Sequence, residues 1–223
     1  MPACKIKNNK VISLNNCYGI INIGKHFTYK GEFLNSQING FGKFIWLKKK
    51  IFREYVGEFK NEKIHGKGKI TWANGDIYIG DFVEGQLKGF GEKIFINGNK
   101  YQGEFDNGYF NGIGKYSDIE GNIYKGSFKN GNFEGRGNMI YSNGDNYEGN
   151  WNEGQRDGKG TWISAVDGFS YKGDWKDGMP NGTGIMIYKD GTNKKGIFLD
   201  GRLVKFTDWS NIKPVSDMVA HKK

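Results

Sequence analysis

Three sets of residues in this 223-residue chain have types and spacings that chemistry could use. Carboxylates recur at Glu58, Asp81 and Glu104, 23 residues apart. Paired carboxylates can carry general acid–base catalysis. Each of these, however, stands three residues after a Tyr, at an alternation that places it on a solvated strand face. Gly-x-Gly pairs such as Gly89-Phe90-Gly91 resemble phosphate-cradling loops, but none opens a helix after a strand, the context such loops require. His26, His65 and His221 are scattered, and Cys4 and Cys17 have neither zinc spacing nor the look of a disulfide framework. The reading is therefore no catalytic residue, no cofactor-binding residue, no metal ligand, and a reducing cytoplasmic setting.

The same residues gain meaning from the frame that positions them. Tyr, Gly two on, Phe or Trp four on, then Gly eleven and thirteen on: this frame starts at Tyr29, Tyr55, Tyr78, Tyr101, Tyr124, Tyr147 and Tyr171. The spacing is 23 residues between Tyr55 and Tyr147, with a 26-residue first unit and a 24-residue unit from Tyr147. A fixed period in this range marks an array of small supersecondary units. Tyr101, Gly103 and Phe105 are two apart and share one face of a strand. Asp106-Asn107-Gly108 makes a tight turn, the chain returns through Gly112 and Gly114, and Glu120-Gly121 turns it again. Two strands and two turns per period give an all-β, continuous antiparallel meander.

Composition agrees with this. The chain has 36 Gly and is 36% hydrophobic and 15% aromatic, so rings rather than aliphatic layers must supply the buried area. Gly weakens strands unless a ring covers its bare backbone, and the frame places rings and glycines on the same face. A further ring row stands seventeen residues after each Tyr: Trp46, Trp72, Phe95, Tyr141 and Tyr188. It is interrupted in the two units holding Ser117 and Ser164. A single sheet leaves one aromatic strip uncovered, so these five are the candidate protein-binding groove. The opposite face is expected to carry mixed charge, as in Lys30/Glu32 and Gln102/Glu104.

The formal charge of +9 resides at the ends: residues 1–30 carry five Lys and no acid, and residues 189–223 carry eight basic against four acidic side chains. The array between is neutral, a poor footprint for nucleic acid. Lys48, Lys49, Lys50 and Arg53, in the enlarged turn of the first unit, are the candidate basic contact, for acidic protein or lipid. No run approaches the roughly 20 apolar residues of a helical membrane span. The organisation read from this is an N-terminal cap with a partial repeat over 1–28, its first ten residues mobile, and seven repeats over 29–193. A degenerate last repeat follows over 194–206, then a basic tail or short helix over 207–223.

The frame resembles the MORN (membrane occupation and recognition nexus) repeat; Tyr78, Gly80, Phe82, Gly85, Gly89, Gly91 and Gly98 match the pattern within one unit. Ser36 and Glu62 depart from it at turn glycines, and Lys194 stands where Tyr belongs. The resemblance implies a single-layer twisted sheet of stacked hairpins, an elongated rod of roughly 70 Å for seven units. Repeat-only members of that family are mainly scaffolds, with radial spoke heads of the ciliary axoneme prominent. What it implies here is a non-catalytic scaffold without a cofactor, binding other subunits of a large assembly or pairing with another MORN protein. The alternatives are a cytoskeletal scaffold outside the cilium and a peripheral adaptor on anionic phospholipid, with membrane contact not favoured.

Overall fold

Tight turns set the architecture. At Asn107-Gly108 both residues take positive φ, 49° and 83°, the backbone of a type I′ hairpin turn whose twist matches its strands. The same geometry holds where glycine is missing: Asn35 and Ser36 have φ of 51° and 66°, and Asn61 and Glu62 of 50° and 65°. The substitutions at Ser36 and Glu62 leave the turn type unchanged.

The computed structural model of the protein describes residues 1–13, 15–47 and 51–207. Every regular element among them is a strand, nineteen in all. They fall into two compact units, one of Met1–Gly121 with Phe128–Gly131, the other of Asn122–Ser127 with the described part of Asn132–Lys223. The first unit holds the short β1 (Ile6–Lys7) and β2 (Lys10–Val11), then β3 (Cys17–Ile23), β4 (Phe27–Leu34), β5 (Gln37–Trp46) and β6 (Phe52–Lys60). It continues with β7 (Lys63–Trp72), β8 (Ile77–Val83), β9 (Gln86–Ile94), β10 (Lys100–Asp106) and β11 (Tyr109–Ser117). From β3 to β11 each strand pairs antiparallel with the next. Residues of β12 (Ile123–Lys129) belong to both units. The second unit continues with β13 (Asn132–Ile140), β14 (Asn146–Asn152), β15 (Gln155–Ile163) and β16 (Ser170–Lys176). It ends with β17 (Met179–Ile187), β18 (Asn193–Leu199) and β19 (Arg202–Phe206), again paired in sequence.

The core of each unit is a ring face. All seven frame tyrosines are at most 1% exposed, and the Phe or Trp four residues on is also buried. Each Tyr ring lies over two glycines that face each other across the hairpin. A Cβ built on Gly103 would sit 2.6 Å from both the Gly114 Cα and the Tyr101 hydroxyl. The ring takes the space two side chains would need, and this ties Tyr and the two glycines into one packing unit.

A bulge completes it. Gly103 pairs with Gly114 but Glu104 pairs with Asn111, so the return strand carries two extra residues, with Gly112 at φ 62°. The disturbed ladder frees the Glu104 carbonyl, which accepts the Tyr101 hydroxyl at 2.8 Å. The Glu104 carboxylate then accepts the Ile113 backbone N–H at 3.0 Å. Glu32, Glu58, Asp81 and Asp174 do the same for Phe41, Lys67, Phe90 and Thr183. The periodic carboxylates therefore cap bulges; solvating a strand face is the smaller part of their role.

At the N-terminus Cys4 and Cys17 form a disulfide, which the sequence did not suggest. Thirteen residues separate them, and only the return of β1 and β2 beside β3 brings them together. Ala3 bridges to Tyr18, and the Cys4 and Tyr18 backbones exchange bonds with Tyr18 and Pro2. The first ten residues are thus built into the fold where mobility was expected. The short helix expected in the tail over 207–223 lies outside the described residues apart from Thr207.

Candidate functional site: the ring face

Alternation along each return strand puts the residues fifteen and seventeen after each Tyr on the same face as that Tyr. In the first unit this builds a groove of about 640 Å³ whose lining includes Trp46, Phe52, Ile64, Ile70, Trp72, Leu87 and Lys93. Trp46 contacts Phe44 at 4.8 Å and Phe52 at 5.1 Å, centroid to centroid. Lys93 Nζ lies 5.2 Å from the Trp72 ring centre and 4.6 Å from that of Phe95, a cation held against two aromatic faces. Of the five candidate groove rings, the structure brings Trp46 and Trp72 into one groove and links Phe95 to Trp72 through Lys93. Tyr141 and Tyr188 belong to the second unit; Tyr141 packs on Trp162 at 5.2 Å, and Lys194 Nζ lies 5.3 Å over Tyr188. All five are half-buried.

The interruptions in the row have local causes. The seventeenth residue after Tyr101 is Asp118, one past Ser117, and it opens the next turn, whose Gly121 N–H bonds to its carbonyl at 3.3 Å. Ser164 is buried, and its hydroxyl accepts the Asp167 N–H at 3.1 Å in the wider turn that absorbs the extra residue of the Tyr147 unit.

The opposite face carries mixed charge, as expected, with Lys43 against Glu54 and Lys67 against Asp81, both at 2.7 Å, in the first unit. It also exposes Phe41, Ile79, Phe90 and Ile113 there, the phenylalanines 56% and 63% exposed. Twelve residues after Tyr, where Phe41, Phe90 and Ile113 stand, the first unit also has Lys67 and the second has Arg136, Lys159 and Thr183. Lys159 pairs with Asp174 at 2.5 Å and Arg136 approaches Glu148 at 3.7 Å. Arg136, Glu148, Lys159, Thr161, Lys172 and Lys195 line a groove of about 1060 Å³.

Burial sets the electrostatics of the ring face. Desolvation raises the pKa of every frame tyrosine, to about 12 for Tyr147 and Tyr171. Arg156 stands nine residues after Tyr147, where the other units carry Ile38, Ile64, Leu87, Phe110, Phe133 and Pro180. Its guanidinium lies 4.5 Å from the Trp175 ring centre, 4.8 Å from Trp162 and 5.6 Å from Tyr147. Burial lowers its pKa below the usual guanidinium range. The sequence reading passed over both Arg156 and Lys93. The signal was present, since each is a charge at a frame position that should be apolar.

Of the candidate basic contact, Lys48, Lys49 and Lys50 lie outside the described residues, and Arg53 is exposed on β6. His65 borders a small cleft with Lys60, Lys63 and Glu84. His26 Nδ1 is buried without a hydrogen-bond partner among the described residues, and His221 lies outside them. Among the described residues no three His, Cys, Asp or Glu gather as a metal site. No described helix is long and apolar enough to cross a membrane.

A family model for the MORN repeat matches residues 29–47, 55–77, 78–100, 101–123, 124–146, 147–166 and 171–193. Curated proteins supply no match. Among solved structures, the chain is similar to the SAS-4 (dCPAP) TCP domain of Drosophila melanogaster in complex with a proline-rich motif of Ana2. Identity is 13%, coverage 80% of this chain and 88% of that one, and the TM-score 0.40. It is also similar to the TCP10 domain of Danio rerio CPAP in complex with a STIL peptide, at 15% identity, 80% and 82% coverage and a TM-score of 0.38. At such scores these likenesses have no bearing on what the chain binds.

Proposed function

This chain belongs to the MORN-repeat family, and we propose that it is a non-catalytic scaffold that holds protein subunits together through the ring face of its repeats. The observation that carries this reading is the groove of the first unit, where Trp46 and Trp72 remain half-buried beside Ile64, Ile70 and Leu87. A sheet face that keeps large rings partly open to water gains free energy when a partner segment covers them. The proposed partners are other subunits of a large assembly, and the proposed location is the cytoskeleton, foremost the radial spoke head of a ciliary axoneme. Support for that location is the run of seven repeats, one following another with only short turns between them. Cross-linking and localisation of a tagged copy test it. The native chain is expected to cross-link to defined subunits and to give a ciliary or cytoskeletal signal. A Trp46→Ala/Trp72→Ala double variant that keeps its β-sheet circular dichroism is expected to lose both. Diffuse signal, or cross-links indifferent to the double variant, would sink the reading.

A further inference from the structure

The ring face of the second unit carries a guanidinium that no described carboxylate neutralises. Arg156 is a charged residue at the ninth position after Tyr, which is apolar in the other six units. A guanidinium has five N–H donors in a fixed fork. One described bond uses them, from Nη2 to the Gly178 carbonyl at 2.5 Å. No described carboxylate lies within ion-pair distance, although Arg136 and Lys159 on the opposite face of the same unit both have acidic partners. Trp162, Trp175 and Tyr147 hold the fork in place and lower the local dielectric, so a carboxylate arriving there would meet a fixed, partly desolvated cation.

Building on the reading that the ring face binds protein, we propose that Arg156 is an anchor for an acidic side chain on a partner peptide whose apolar residues cover the neighbouring rings. Charge complementarity selects this occupant. An apolar segment alone would bury the guanidinium without replacing its water, which costs free energy, while a basic segment would be repelled. The aromatic walls favour apolar neighbours on either side of the acid, and the planar fork favours a carboxylate over a neutral amide.

The obvious substitution is also a safe one. Arg156→Leu places at this position the residue type that Leu87 already supplies in another unit, so folding is expected to be kept or improved. The probes are synthetic dodecapeptides rich in Leu and Phe, each made with Glu or Gln at one central position, titrated against the full chain while Trp fluorescence is followed. For the best-binding sequence, the native chain is expected to prefer the Glu form by about tenfold or more, the scale of one charge-assisted hydrogen bond. Arg156→Leu is expected to bind the Glu and Gln forms alike. Equal binding of the two forms by the native chain, or a preference that survives Arg156→Leu, would overturn the carboxylate anchor and leave the groove reading standing. Failure of every peptide to bind would overturn both.

Discussion

The Tyr101 hydroxyl shows how much one atom decides in this fold. It donates to the Glu104 carbonyl at 2.8 Å and approaches the Asn111 carbonyl at 3.3 Å, on the two sides of the bulge. Tyr101→Phe keeps the ring and removes the donor, so a stability loss of about 1 to 2 kcal/mol is expected in chemical denaturation. Gly103→Ala asks for more. Its methyl would meet the Gly114 Cα at 2.6 Å, and backbone cannot move aside as a flexible side chain can. A loss of about 3 kcal/mol is expected. If the alanine variant proved as stable as the native chain, the account of the facing glycines would be wrong. The tyrosines, glycines and turn residues were legible in the sequence because each repeats at a fixed place. The hydroxyl bond was not, because it depends on a carbonyl that only the bulge sets free.

At the scale of the element, the hairpin depends on its carboxylate cap. Lys67 bonds to the Asp81 carboxylate at 2.7 Å and the Phe90 N–H does so at 3.0 Å, and these bonds lower its pKa in that order of strength. Asp174 is lowered first by Lys159, then by the Thr183 hydroxyl. A carboxylate whose folded pKa is depressed contributes stability above its unfolded pKa of about 3.9, and loses it as pH falls through the folded value. The native chain is therefore expected to lose stability on acidification below about pH 4. Asp81→Asn with Asp174→Asn should flatten that slope, as read by urea midpoints across a pH series. The units starting at Tyr124 and Tyr147 carry Ser127 and Asn150 at the capping position. Carboxylates three after five of the seven frame tyrosines were visible in the sequence. Their partner, the N–H nine residues further on, comes within reach only once the hairpin has closed around two extra residues.

For the whole molecule, seven buried phenols act together. Tyr147 and Tyr171 are pushed up to about 12, and the other five frame tyrosines are raised by the same desolvation. Unfolding returns each to about 10. Above that pH the unfolded chain binds fewer protons than the folded one, so stability falls as pH rises from about 10 to about 12. Because the ring faces of both units depend on these residues, alkaline unfolding is expected to be steep. Phenolate absorbance should rise together with loss of the β-sheet circular dichroism signal. Frame tyrosines that ionised near pH 10 in a chain with unchanged circular dichroism would contradict their burial.

By itself the sequence determined the family, the hairpin and the turn type, because Gly, Asn and the rings recur at a period set by local backbone geometry. Those are short-range matters, and a repeat states them seven times. Only the tertiary structure decided three further things. The first is the Cys4–Cys17 bridge, since closing it requires β1 and β2 to return beside β3. The second is which residues meet on the face opposite the rings, where Lys67, Arg136 and Lys159 each reach an acid while Phe41 and Phe90 stay exposed. The third is the standing of Arg156, one letter in the sequence, which becomes a caged cation once strands β14, β15 and β16 bring Tyr147, Trp162 and Trp175 around it. Each depends on which residues become neighbours across strands, and pairing register fixes that where composition cannot.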